Sequence, residues 1–283
     1  MMRPPLLSLL YCCLLSLVLL WSDLALAAES TEGGADWRLS MAVGVGRYGS
    51  VLRDGEDIPL YVLPRWSFYY KRFYVEDLDL GFNLLQSGHW SFDLTTKQSF
   101  DALLLRGSSL GNAFFSGLAS ANIPIGVPFG VDPKKLIHPA KRTMSYLGGA
   151  TLYWQNQDWQ LSSAWHTDIS GVHRGSEWEN KVRYQQHLGP LDLALTAGAR
   201  RLSSSYSNYY FGVHKQDNDF HYQYEPGAQW LPSLKMESRF PLGKDKQLVA
   251  SWKREWLPKA YDKNLFFDQR HQDIWFVGVS WAW

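Results

Sequence analysis

Apolar side chains in this sequence return at every second position, segment after segment. From Trp37 they read Trp37, Leu39, Met41, Val43 and Val45, against Arg38, Ser40, Ala42, Gly44 and Gly46. The period holds at Leu78, Leu80, Phe82 and Leu84, and at Trp90, Phe92 and Leu94. It returns at Trp159, Leu161 and Trp165, at Trp178, Val182 and Tyr184, at Leu191 to Ala197, and at Leu248, Ala250 and Trp252. Successive strand side chains point to opposite faces, so each segment has one apolar and one polar face. The segments are strands.

A soluble sandwich would bury the apolar faces against each other, whereas an outer-membrane barrel turns them to lipid. The segments run about 9–13 residues, enough to cross a bilayer at a tilt, while globular strands average about 5–6. Aromatics make up 15% of the chain, with 14 Trp. They crowd the segment ends (Trp66, Phe68, Tyr69, Tyr70, Phe73, Tyr74, Tyr153, Trp154, Trp159), where an interfacial girdle would lie. Glu177, Glu179, Lys181 and Arg183 share one face and can pair with neighbouring strands inside a lumen. These features favour the barrel.

Residues 1–27 read as a cleaved secretory signal. Arg3 supplies the positive start, Leu6 to Leu20 the apolar run, and Ala25-Leu26-Ala27 the small-x-small site, placing cleavage between Ala27 and Ala28. A retained anchor is the alternative, but the run is short for a span. The two cysteines, Cys12 and Cys13, fall inside this segment, so residues 28–283 hold neither a disulfide framework nor a thiolate metal site. With 28 Lys+Arg against 27 Asp+Glu, the chain lacks the basic footprint of a nucleic-acid binder.

At the other end, Trp275, Val277, Val279, Trp281 and Trp283 occupy one strand face and close the sequence on an aromatic residue. That pattern looks like the assembly signal of outer-membrane barrels. The spacing predicts an all-β transmembrane antiparallel barrel of about twelve strands, or ten to twelve given uncertain ends, within a single domain over 28–283. The expected strands are 36–48, 57–70, 73–85, 90–103, 146–156, 158–168, 176–187, 190–202, 207–214, 229–240, 246–256 and 273–283. Reversals fall at Lys71-Arg72, Asn156 to Asp158 and Gly189-Pro190. Residues 104–145, rich in Gly, Ser and Pro, form an irregular insert: a loop, a folded-in plug or a poorly patterned hairpin.

Asn208-Tyr209-Tyr210-Phe211-Gly212-Val213, followed by Tyr224-Glu225-Pro226-Gly227-Ala228, resembles the paired signature of the MipA/OmpV family of outer-membrane proteins. Phe276 to Ser280 resembles that family's last strand, and Pro59-Leu60-Tyr61 through Arg72-Phe73 to Leu80-Gly81 its early Pro-aromatic strand and turn. Two features depart from the pattern: the 104–145 stretch is long, and the chain ends Ser-Trp-Ala-Trp where Phe is usual. The resemblance implies a cell outer-membrane scaffold without enzymatic activity or cofactor. Its implied partners are a periplasmic lytic transglycosylase and a murein synthase, with lipid and lipopolysaccharide around the barrel.

Other motifs carry less. Gly44-Val45-Gly46-Arg47-Tyr48-Gly49 fits a dinucleotide-binding string, but a polar loop follows where a helix is required. The glycines read as small lumen-facing residues. His166, Asp168 and Ser170 invite a hydrolase reading, though same-face neighbours lie about 6.5–7 Å apart on a strand. His214, Asp217, Asp219 and His221 could hold a divalent ion, and Lys134 to Arg142 could touch lipopolysaccharide phosphate; solvated loops are the default for both. No catalytic, cofactor or metal site is assigned. A small-solute channel is the alternative to the scaffold, and an outer-membrane hydrolase comes third.

Overall fold

The computed structural model describes residues 35–53, 55, 57–102, 142–217 and 222–282. Residues 1–27, with the expected cleavage between Ala27 and Ala28, lie outside that set, as do Trp283 and all of the insert except 142–145.

Twelve antiparallel strands close into a barrel. In chain order they are β1 (Asp36–Tyr48), β2 (Ile58–Tyr70), β3 (Phe73–Glu76), β4 (Asp79–Ser87), β5 (Trp90–Gln98) and β6 (Tyr146–Gln155). Then come β7 (Trp159–Asp168), β8 (Ser176–Leu188), β9 (Leu191–Leu202), β10 (Gln229–Pro241), β11 (Lys246–Trp256) and β12 (His271–Ala282). Each strand pairs with its sequence neighbours, and β1 pairs with β12 to complete the ring. The barrel expectation holds.

The alternation settles which side faces out. Trp37, Leu39, Met41, Val43 and Val45 are exposed along β1, and Trp159, Leu161 and Trp165 along β7. In water so large an apolar surface would drive aggregation; in a bilayer it is the solvent-matched face. Outward-facing aromatics cluster at both ends of the strands: Trp37, Tyr70, Phe73, Trp90 and Trp159 at one, Trp165, Trp178, Trp230 and Trp256 at the other. The ring has no helix long and apolar enough to cross a membrane among the described residues, and crosses with strands instead.

Two glycines make the closing seam possible. A Cβ on Gly44 would overlap the Val277 carbonyl oxygen and the backbone of its cross-strand partner Gly278. At Gly46 it would meet Trp275 backbone and the Phe276 ring, which is buried against Ala42 and Leu60 inside the barrel. The glycine string therefore serves strand closure, and the described residues among 49–57 form no helix.

Two expected strands are corrected. The segment 73–85 breaks at Asp77-Leu78 into β3 and β4, because Asp77 adopts φ 55 and turns the chain midway up the wall. The expected strand 207–214 is a helix, α1 (Ser204–Phe211). Ser203 caps it by accepting from the Tyr206 amide, and Tyr206 and Tyr210, one turn apart, bury the same face.

Gly44→Val is expected to prevent ring closure. Heat-modifiable gel migration should show the folded band lost or strongly reduced, with Val43→Ile on the lipid face unaffected.

Candidate functional site

Short turns (Lys71-Arg72, Gly88-His89, Gly189-Pro190) join the strands at the end of the barrel that holds both termini of the ring. Longer connections fill the other end, and there the chain builds a second core. Val51, Ala102, Leu147, Leu202, Tyr206, Tyr210, Phe211, Val213, Leu231, Leu257, Tyr261, Phe266 and Phe267 pack as one buried cluster. They come from four different connections and the strand ends beside them, so this cap spans the mouth.

The signature residues are its framework. Phe211 stacks on Tyr261 with centroids 4.4 Å apart. The Tyr210 hydroxyl lies 3.0 Å from both the Thr143 carbonyl and Ser145 Oγ. Tyr209 accepts at its carbonyl from Arg142 Nε (2.8 Å) and at its hydroxyl from the Thr143 amide (3.0 Å). The two halves of the motif clasp each other: Val213 and Tyr224 exchange backbone hydrogen bonds of 2.8 and 2.9 Å, while Asn208 Oδ1 accepts from the Gly227 amide at 2.8 Å. Gly227 needs its φ of 70, and a Cβ on Gly212 would overlap the Asn208 carbonyl. Tyr224 donates to the Ala260 carbonyl, and the Pro226 carbonyl accepts from Gln229 Nε2 at 2.6 Å.

Beneath the cap lies a charge knot. Arg200 of β9 grips Asp101 through Nη1 (2.7 Å) and Nη2 (2.9 Å), and Glu255 through Nη2 (2.6 Å) and Nε (3.1 Å). Its remaining contact is Glu177 at 3.4 Å. Tyr206 donates to Asp101 at 2.8 Å, tying α1 to the knot. Lys97 joins Glu177 and Glu179, and Lys181 adds to Glu179 at 2.9 Å. Burial alone would raise the Asp101 carboxyl; Arg200 and the Tyr206 hydroxyl hold it below the usual range. Burial drives the Tyr206 phenol well up and the Tyr210 phenol up to about 12, so both stay protonated donors.

Below the knot the lumen holds a cavity of about 1100 Å³. It runs from Arg38, Arg239 and Gln247 near the short-turn end to Met144 and Tyr206 under the cap.

The remaining sequence candidates separate. His166 points into the lumen, with Nε2 2.8 Å from Thr95 Oγ1, whereas Ser170 donates to Asp168 at 2.7 Å in an exposed turn. Asp168 also accepts from the amides of Ser170, Gly171, His173 and Arg174, so it shapes that turn, and His166 and Ser170 do not pair with each other. Asp217 is taken by Arg142 at 2.6 and 3.1 Å, deep in the cap. Asp219, His221 and Lys134 to Lys141 lie outside the described residues, among which no cluster suited to a metal ion occurs. Trp275, Val277, Val279 and Trp281 take the outer face of β12, and Val277 is exposed. The sequence pattern showed Glu177, Glu179, Lys181 and Arg200 on polar strand faces but not the role of Asp101, which fell inside the expected strand 90–103 and lies instead beyond the end of β5 at Gln98.

The family model for MltA-interacting protein MipA matches residues 35–283. The chain belongs to this family. A putative outer membrane protein, YiaT of Escherichia coli K12, is 22% identical over 143 residues, covering 50% of this chain and 58% of that one. The chain therefore matches little more than half the length of this relative. Among solved structures, the TodX deltaS2S3 mutant monoaromatic hydrocarbon channel aligns with 89% of the chain at 10% identity and TM-score 0.38. A porin aligns with 88% at 8% identity and TM-score 0.32. Membership and the closed barrel place this MipA-family protein in the outer membrane.

Two outcomes are expected for the cap. Arg142→Ala leaves Asp217 buried without its bidentate partner, a change that costs about 3–5 kcal/mol in comparable buried pairs. Hydrogen exchange over 203–217 should rise while the strands stay protected. His173 gives a pH dependence. Its Nδ1 accepts from the Gly175 amide at 2.9 Å and its Nε2 faces Ser145 Oγ at 3.0 Å, a pattern suited to neutral imidazole. Burial lowers its pKa against the opposing pull of the Asp168 charge. An opened cap therefore binds the proton more tightly than the closed one, so this stabilisation is full above about pH 6.5 and is lost as pH falls below it. Cap proteolysis should quicken between about pH 7.5 and about pH 5.5, and His173→Gln should flatten the profile.

Proposed function

We propose that this MipA-family barrel is a non-enzymatic scaffold that docks a lytic transglycosylase of the MltA type, together with a murein synthase, at the periplasmic face of the outer membrane. The observation that carries the reading is the match to the MltA-interacting family over the whole described barrel. The geometry supports it in a second way. The buried charges Asp101, Glu177, Arg200 and Glu255 are engaged with one another in a closed knot beneath the packed cap, and His166 and Ser170 do not form a catalytic pair. Outer-membrane barrels carry short turns on the periplasmic side and long loops outside. Lys71, Arg72, His89, Asp158 and Lys244 then lie in the turns offered to periplasmic partners. Export would use residues 1–27 with cleavage between Ala27 and Ala28, and insertion would use the aromatic-ended β12 with Trp281 and Trp283.

The test is binding of a purified soluble MltA-type transglycosylase to the barrel in nanodiscs. Binding that weakens on Lys71→Glu with Arg72→Glu, but not on changes to the opposite loops, is expected. No association at micromolar concentration, with a folded barrel, would overturn the scaffold reading.

A further inference from the structure

Among the described residues, the barrel wall is incomplete at one place. Strand β3 is only four residues long, so β2 has a partner on that side only from Ser67 to Tyr70. Among the described residues, Ile58 to Leu60 and Val62 to Arg65 pair with β1 alone. The edge lies within the apolar belt, since Pro64 and Trp66 stand opposite the outward-facing Met41 and Leu39.

The floor of the gap is finished as a rim would be. Trp66 presents both backbone groups to it: the Asp77 amide donates to its carbonyl at 2.8 Å, and its amide donates to Asp77 Oδ1 at 3.1 Å. Asp79 Oδ1 accepts from the Gln98 amide at 3.1 Å, and the Tyr146 hydroxyl donates to the Leu78 carbonyl at 2.7 Å. Side chains thus satisfy the Trp66 amide that a longer β3 would have paired and the Gln98 amide that a longer β4 would have paired. Two residues further along β2, the amide nitrogen on the open side belongs to Pro64, which has no hydrogen to leave unpaired. An unpaired edge facing hydrocarbon is otherwise penalised, so the gap reads as a built opening.

The lumen cavity reaches this opening: Pro64, Trp66, Leu78 and Gln98 border the gap and line the cavity. Inside, one wall is apolar, where Ala42, Leu60 and Phe276 pack with Leu63, Val249 and Ile274. The rest of the lining is charged but balanced. Seven basic side chains (among them Lys97, Arg200, Lys235 and Lys253) face seven acidic ones (among them Asp79, Glu179, Glu237 and Glu255). An apolar stripe beside a balanced polar wall suits a molecule with an acyl chain and a head of no net charge. At about 1100 Å³ the cavity is slightly beyond the range that holds one drug-sized ligand.

We propose that the gap above β3 is a lateral portal through which a single-chain amphiphile with a zwitterionic head passes between the bilayer and the lumen cavity. The chain lies along Leu60, Leu63 and Phe276, and the head meets the paired charges of β10 and β11. The proposal stands apart from docking at the periplasmic turns.

The test uses the full barrel in phospholipid nanodiscs and lysophosphatidylcholine carrying a diazirine within its chain. After illumination, adducts are mapped by peptide mass spectrometry. Expected are adducts on lumen-facing Leu63, Val249 and Phe276 in addition to the outward-facing belt. Leu63→Asp should remove the lumen adducts and spare those of the belt, with heat-modifiable migration confirming a folded barrel. Leu78→Trp, which narrows the portal without touching the apolar stripe, should slow lumen labelling severalfold. Adducts confined to the belt would overturn the proposal. So would lumen labelling at an unchanged rate in Leu78→Trp, which would place entry at the short-turn end.

Discussion

Arg200 holds the two halves of this molecule together. Its guanidinium spends all five N–H groups on carboxylates, two bidentate and one single, drawn from the end of β5, from β8 and from β11. A guanidinium so buried is stable only while each of those donors is met. Asp101 is the member that reaches upward, because it also accepts from Tyr206 of α1. Barrel wall and cap are therefore one electrostatic unit. Loss of any partner leaves a buried charge without its counter-ion.

The lipid face and the lumen impose opposite demands on the same strands, and the chain meets both through its period of two. Outward positions carry Leu, Val and Trp; inward ones carry ion pairs such as Arg183–Glu237 and Lys97–Glu179 or small residues such as Gly44 and Ala42. Where the ring closes, small residues let β1 and β12 approach. Where β3 stops short, Asp77, Asp79 and Tyr146 substitute for a missing ladder. Among the described residues, the cap spans the loop end while one flank of β2 is left without a ladder beyond β3.

Most of the barrel was legible because a strand between lipid and lumen writes its two faces directly into the sequence. Ten of the expected segments fall on observed strands with ends shifted by a few residues. The two misreadings offset one another in the strand count. Asp77-Leu78 carries neither Gly nor Pro, so nothing in composition marked the turn that divides 73–85. The tyrosines of 206–210 suggested a strand by residue type, but their spacing of four with a serine cap is helical. Of the site, Glu177 and Glu179 were legible since both sit on the polar face of one strand and Lys97 meets both. The bond between Asp101 and Arg200 was not, because the two lie 99 residues apart and only ring closure and the cap bring them together. The signature could be recognised as a set, yet that its two halves clasp each other is a fact of the fold.

The dependence of the cap on the Arg200 knot is tested most directly by hydrogen exchange and single-channel conductance measured on the same nanodisc and planar-bilayer preparations of the native protein and Arg200→Leu. The account predicts a native barrel that is protected over 203–217 and electrically silent. In the variant, exchange over 203–217 rises and conductance appears while strand protection persists. Steady conductance from the native protein, or a cap whose protection is indifferent to the loss of Arg200, would contradict it.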